Sequence, residues 1–279
     1  MTQSREAGLH AEPPAGEPGA ALFVLAHHDD EVFCAGQLHR AMSAGRRLRI
    51  LWATAGGLAP ARCRLREGAR VCRWLGLAPG AACDLRLPDQ GAMFHITSIA
   101  RAAEALLDAT QADGDSEAPT VYVPAYEGGH PDHDAVNLAV AVLRLRRPEL
   151  SVREFPLYRR GPAGISVQSP LPAAGTAPTR FDVLPLGADA LALRRCLARA
   201  NASQLLPSLL PLLALAWAAG RGRAEPSRPL PAHDYTLPAH SRPLLYELYT
   251  RRRFSAFRAA IAALPGAGPH GAGTWPPND

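Results

Sequence analysis

From Ala20 onward the chain alternates between short apolar runs and longer stretches with helical spacing. Ala21–Ala26, Leu48–Ala53, Ala82–Leu87, Val121–Pro124 and Val152–Tyr158 have the length and apolar content of strands buried on both faces. Between them, Glu31–Ala44, Arg62–Leu75, Ile96–Gln111 and Asp134–Leu145 place apolar residues three and four apart, as amphipathic helices do. Strict strand–helix alternation predicts a Rossmann-like, doubly wound α/β fold: a mostly parallel sheet with helices on both faces and right-handed crossovers.

After Tyr158 the pattern loosens. The stretch RRGPAGISVQSPLPAAGTAPTR reads as loop, Arg180–Leu186 as one more strand and Gly187–Ala200 as a helix. Pro/Arg-rich text runs to about Ser241, and a last helix is expected over Leu244–Leu264. The division that follows is a single domain over 19–264, with a core at 19–160 and a C-terminal extension at 161–264. Residues 1–18 and 265–279, rich in Pro and Gly, read as flexible tails. There is no internal repeat.

In a doubly wound sheet, ligands bind beyond the carboxyl ends of the strands where strand order reverses. The first strand ends there in AHHDDE, Ala26 to Glu31. A dinucleotide site would carry glycines in this turn, but the first one comes at Gly36, and an acidic turn repels a pyrophosphate. The turn suits a cation instead. His27 and Asp30 can converge on a metal, and a third ligand is offered by HPDH, His130 to His133, after the fourth strand. Either His133 or His130 can complete a set of two histidines and one aspartate, the stoichiometry of a catalytic zinc. Pro131 suits the first turn of the helix that HPDH opens.

Composition narrows the picture further. A formal charge of +5 comes from scattered Arg, which reads as a solvated surface and not as a nucleic-acid site. The cysteines number five, scattered and without C-x-x-C, so neither a disulfide framework nor a Cys-type zinc site is expected. The N-terminal text has no apolar signal region. The apolar run Leu205–Gly220 is too short for a bilayer and contains Pro207 and Pro211, so we expect no integral membrane segment. Its Leu205–Leu215 portion would serve the core or an interface between copies of the chain in a homo-oligomer. The expected location is cytoplasmic.

The two corners together resemble the PIG-L-like, or LmbE-like, family of zinc-dependent N-deacetylases, whose signatures are A-H-P-D-D-E and H-P-D-H. TAGG (Thr54–Gly57), RLREGARVCRWLG (Arg64–Gly76), LPDQG (Leu87–Gly91) and RPLPAHDYTLPAHSRPLLYE (Arg228–Glu247) extend the resemblance to about residues 20–250. It implies His27, Asp30 and His133 as ligands of one Zn2+ per chain, with another divalent metal as the alternative. Asp29 would be the general base and His130, as an imidazolium, the group that stabilises the oxyanion or protonates the leaving amine. Asp132 would orient a ligating histidine. The implied partner is a small-molecule sugar conjugate bearing N-acetylglucosamine, including the glycosylated natural products that some members deacetylate in antibiotic pathways.

Arg64 and Asp89 follow the second and third strands on the same sheet edge and are candidates for holding sugar hydroxyls, Arg64 also for a phosphate or carboxylate. Tyr235 and His240 are candidates for lining the pocket. Asp29 has an alternative role as a helix N-cap, and Glu31 reads as a first-turn carboxylate facing the helix dipole. The chain departs from the family at His28, which replaces Pro and reads as a surface or pocket-lining residue. Gly128 stands where some members carry Tyr, with Tyr126 further back, and Gly68 interrupts the expected second helix. Two other functions remain: metal-dependent hydrolysis of a phosphoester or a different amide, and a catalytically silent metal- or ligand-binding module.

Overall fold

The computed structural model describes residues 19–56, 59–112, 118–162, 164–169, 180–204 and 224–264. The first strand, β1 (Ala20–Leu25), is buried along its whole length, as its unbroken apolar run requires. Its neighbours are β2 (Arg47–Thr54) and β4 (Thr120–Pro124), both parallel to it. β3 (Ala82–Leu87) lies beyond β2, and β5 (Ser151–Phe155) beyond β4. Strand order therefore reverses between β1 and β4, which puts the two polar corners side by side.

Alternate residues of β1 feed two cores. Leu22 and Val24 pack with α3 (Ile96–Ala112), α4 (Pro131–Arg146) and α7 (Phe254–Ala262). Phe23 and Leu25 pack with α1 (Ala35–Ser43), α2 (Ala61–Trp74) and α5 (Ala188–Ala200). Each fully buried side chain of this size stabilises the fold by about 1.5–3 kcal/mol, so these layers fix the height at which β1 and β4 end.

The C-terminal extension departs most from the pattern-based expectation. β8 (Asp182–Pro185) matches the expected strand, but β9 (Ala224–Pro229) forms inside the Pro/Arg-rich text. It runs antiparallel between β5 and β8, completing a seven-stranded sheet of order β3-β2-β1-β4-β5-β9-β8. Its sequence, AEPSRP, is polar because ion pairs seat it. Glu225 accepts from the backbone N–H of Gly36 (2.8 Å) and Gln37 (3.1 Å) and pairs with Arg194. Arg228 donates to Glu154 on β5 from Nε at 2.7 Å.

A hairpin, β6 (Tyr158–Gly161) and β7 (Gly164–Val167), forms in text expected to be loop. The expected last helix is two helices, α6 (Leu245–Tyr249) and α7. Glu247 causes the break: its carboxylate accepts from Leu244 N at 2.9 Å and Phe254 N at 3.0 Å, capping both helices at once. The expected tails and the Leu205–Leu215 run lie outside the described residues. Among those described, no helix is long and apolar enough to cross a membrane.

Candidate metal centre

Both corners are shaped by their own carboxylates. After β1, Asp30 Oδ2 accepts from the backbone N–H of Ala26 (2.9 Å) and His27 (3.0 Å). These bonds curl the turn back on itself, so Asp30–Cys34 forms a tight 3-10 turn and the α-helix starts only at Ala35. After β4, Asp134 Oδ1 accepts from Glu127 N (3.2 Å) and Gly128 N (3.1 Å), closing the loop onto the start of α4. His130 caps α4 by accepting the Asp132 N–H on Nδ1 at 3.2 Å, with Pro131 in the first turn.

The corners meet. Asp30 Oδ1 lies 3.2 Å from His133 Nε2 and 3.9 Å from His27 Nδ1. A tetrahedral ion with bonds of about 2.0–2.1 Å separates neighbouring ligand atoms by about 3.3 Å, so the first spacing suits two ligands of one ion. His133 is 1% exposed, and neither of its ring nitrogens has a hydrogen-bond partner. Its approach to Asp30 is close but not aligned as an N–H···O bond. A buried imidazole without partners costs stability unless something else satisfies it, and a cation between His133 and Asp30 does so. The donors present thus fit a divalent metal. His130 is also near: donor atoms of His27, His130 and His133 all lie within 4.8 Å of one another, as do those of His27, Asp89, His130 and Asp132.

Asp132 stands behind His27, its Oδ2 3.3 Å from His27 Nε2. It is fully buried and fixed by the N–H groups of Gln90 (2.7 Å) and Ala92 (3.0 Å). A carboxylate on one imidazole nitrogen turns the other toward a metal.

The electrostatics follow from these contacts. Burial by itself would lower the pKa of His27, but Asp132 and Asp30 outweigh it and push it well above the usual value. Burial would raise Asp30, but His133 and His27 bring it well below the carboxylate range. Burial, then the positive charge of His27, holds His130 well below the ordinary histidine value. This direction opposes the expected imidazolium. With His130 Nδ1 accepting from Asp132 N, the ring proton sits on Nε2.

Asp29 occupies the N-cap position of the 3-10 turn, yet its side chain makes no capping bond. Its backbone is left-handed, φ 108°. Burial and then Asp30 push its pKa up to about 7 against the pull of Arg64. The side chain remains 31% exposed, so solvent tempers the burial component. A bound cation would lower it in turn.

Other candidates have different places. Asp89 borders the centre, 3.7 Å from His27 Nε2 and 28% exposed. Arg64 is 1% exposed and engaged with Glu67, Asp29 and the His28 carbonyl. Tyr235 donates to Asn137 in the core, whereas His240 lies beside Gly128. Tyr126 packs on Tyr235 and Phe257 and donates to the Leu237 carbonyl at 2.6 Å, so it belongs to the core. Glu31 does not face the helix dipole in solvent: it is fully buried and accepts from Trp52 Nε1 and Asp29 N.

His28 is not a surface residue. It is 1% exposed, stacks on Trp52 with ring centroids 4.4 Å apart, and sits 3.3 Å from Asp84. A Cβ at Gly68 would come within 2.6 Å of its ring, and α2 runs unbroken through Gly68. The two departures from the family pattern are thus one packing arrangement. Sequence reasoning missed Tyr158 and Tyr249, which flank His133 and His130 at ring distances of 5.4 and 6.3 Å. They lie on the hairpin and on α6, neither of which the hydrophobic pattern resolved.

A mostly parallel sheet with paired His/Asp corners at its switch point defines an α/β scaffold with a candidate metal centre. Residues 22–143 match the PIG-L family model, GlcNAc-PI de-N-acetylase. Among solved structures it is similar to a deacetylase of the teicoplanin biosynthesis pathway: 17% identity, TM-score 0.54, covering 75% of this chain and 96% of that one. It is also similar to the A40926 pseudoaglycone deacetylase Dbv21: 17% identity, TM-score 0.55, covering 77% and 99%. The zinc-inhibited form of teicoplanin deacetylase Orf2 aligns with 16% identity and a TM-score of 0.53, covering 75% and 96%. No curated protein matches the chain by sequence.

Proposed function

We propose that the chain is a zinc-dependent hydrolase that removes the acetyl group from an N-acetylglucosamine-type sugar conjugate, releasing acetate and a free amine. The observation that carries this reading is the approach of Asp30 to His27 and to the partnerless imidazole of His133. The two-nitrogen, one-oxygen donor set suits zinc. The family description and the teicoplanin and A40926 relatives favour an N-acetylated sugar on a natural product.

His27, Asp30 and His133 would hold the metal. Bound there, zinc supplies a Lewis acid for the acetamide carbonyl and lowers the pKa of water to about 7. Asp29 needs no place among the ligands and takes the proton of the attacking water on its carboxylate. His130 Nε2–H is the donor available to the tetrahedral oxyanion, a role worth about 3–4 kcal/mol in comparable sites. The proton on Asp29 passes to the sugar nitrogen as the C–N bond breaks. Asp132 would hold His27 in its ligating orientation, and Asp89, at the rim, would accept from a sugar hydroxyl.

Metal content per chain and acetate release from N-acetylglucosaminides test the reading together. Asp29→Ala should lose turnover by about 10²–10⁴-fold while keeping its zinc, and His133→Ala should lose zinc. Normal turnover by Asp29→Ala would remove the base assignment, and a chain that takes up no divalent metal would remove the hydrolase reading.

A further inference from the structure

We propose that Arg64 is a positioning residue that holds Asp29 in its pose, and not a ligand for substrate; this rests on Asp29 acting as the base. Asp29 sits in a left-handed conformation, φ 108°, that a β-substituted residue does not adopt unless its surroundings impose it. Its own side chain contributes nothing to the turn. Two neighbours impose the pose instead. Glu31 accepts the Asp29 N–H at 2.8 Å. Arg64 Nη2 donates to the His28 carbonyl, the other end of the same peptide unit, and lies 3.5 Å from Asp29 Oδ1.

Arg64 is itself immobilised. Nη1 donates to Glu67 at 3.0 Å, and Glu67 is held in turn by Ser203 N and Oγ, each at 2.7 Å. This ties the Asp29 turn to the segment that follows α5. The remaining donor, Nε, has no partner and faces Gly56, where an added Cβ would come within 3.2 Å of it. Gly56, the first glycine of the TAGG stretch, thus leaves room for the guanidinium. At 1% exposure, with both terminal nitrogens engaged and Nε facing Gly56, Arg64 presents almost no surface to a sugar hydroxyl or a phosphate. Its fork geometry lets one side chain reach Glu67, the His28 carbonyl and Asp29 together, which a lysine cannot do.

Crystal structures of the wild type, Arg64→Met and Arg64→Lys test this without reference to activity. In Arg64→Met, Asp29 should leave its left-handed conformation while His27, Asp30 and His133 keep their places; an unmoved Asp29 overturns the proposal. Kinetics supply the second test, with acetate release measured from N-acetylglucosamine and its 3-deoxy and 4-deoxy analogues. A base displaced by about 1 Å loses on the order of 10²-fold in rate, so kcat should fall by about that factor with little change in KM. The loss should be the same on all three sugars, and Arg64→Lys should recover part of it. A loss that disappears on one deoxy analogue identifies a substrate contact and overturns the proposal. If the wild type releases acetate from none of the sugars, the deacetylase reading fails while the crystal structures still decide the role of Arg64.

Discussion

Gly68→Ala has an effect whose sign depends on one neighbour. The added Cβ would lie 2.6 Å from His28 Cε1 and 2.8 Å from Nδ1, about 0.8 Å short of ordinary contact. The His28 ring cannot simply withdraw, because it is stacked on Trp52 and buried to 1% exposure. Overpacking of this kind costs about 1–3 kcal/mol, against a gain of about 1 kcal/mol for replacing Gly by Ala inside a helix. Gly68→Ala should therefore destabilise the wild type by up to about 2 kcal/mol. In a His28→Ala background the obstacle is gone, and the same substitution should stabilise by about 0.5–1 kcal/mol. The assay is urea unfolding of the four proteins at 25 °C after chelator treatment, read as a double-mutant cycle. An equal penalty for Gly68→Ala in both backgrounds would refute the idea that His28 is why position 68 carries glycine.

Asp132→Asn should weaken zinc affinity by about 10–100-fold, measured by competition with a chromophoric chelator; unchanged affinity would mean that the carboxylate does not orient His27. Arg228→Met takes the guanidinium from the fully buried Glu154 carboxylate, which keeps His233 and Asn137, and should cost about 3–5 kcal/mol, with part of the loss recovered in the Arg228→Met/Glu154→Leu double variant. Thermal unfolding reads both, and a loss under about 1 kcal/mol for the single variant would contradict the ion-pair account of β9. Burial raises the Glu127 carboxyl from 4.5 to about 8. The folded chain thus binds this proton more tightly than the unfolded one, and the stabilisation is complete below about pH 4.5 and lost as pH rises through about 8. Glu127→Gln should flatten that part of the stability–pH curve, and parallel curves for the two proteins would show that Glu127 is not the cause.

The parallel core was legible because its signal is local. β1, β2 and β4 are apolar enough to be buried on both faces, and the helices between the strands carry the 3.6-residue period. The two donor corners were legible for a related reason: polar residues that abruptly end a buried strand need a purpose. β9 was invisible because its inward residues are Glu225, Ser227 and Arg228, whose burial is made tolerable by partners 31 to 190 residues away in sequence. No periodicity encodes such a partner. The last helix was read as one because Glu247 caps two helix starts through tertiary geometry.

By itself, then, the chain's sequence determined the doubly wound core, the strand ends that carry the chemistry, and a donor set suited to a divalent cation. Local apolar spacing dictates which segments bury which face, and burial dictates where the polar residues emerge. Only the tertiary structure decided how those residues are divided among tasks. It set Asp132 behind His27 across 105 positions, buried His28 against Gly68, and turned Arg64 inward onto the Asp29 turn. Those assignments depend on strand register and on which distant group satisfies each buried polar atom, and neither is written in the spacing of neighbours.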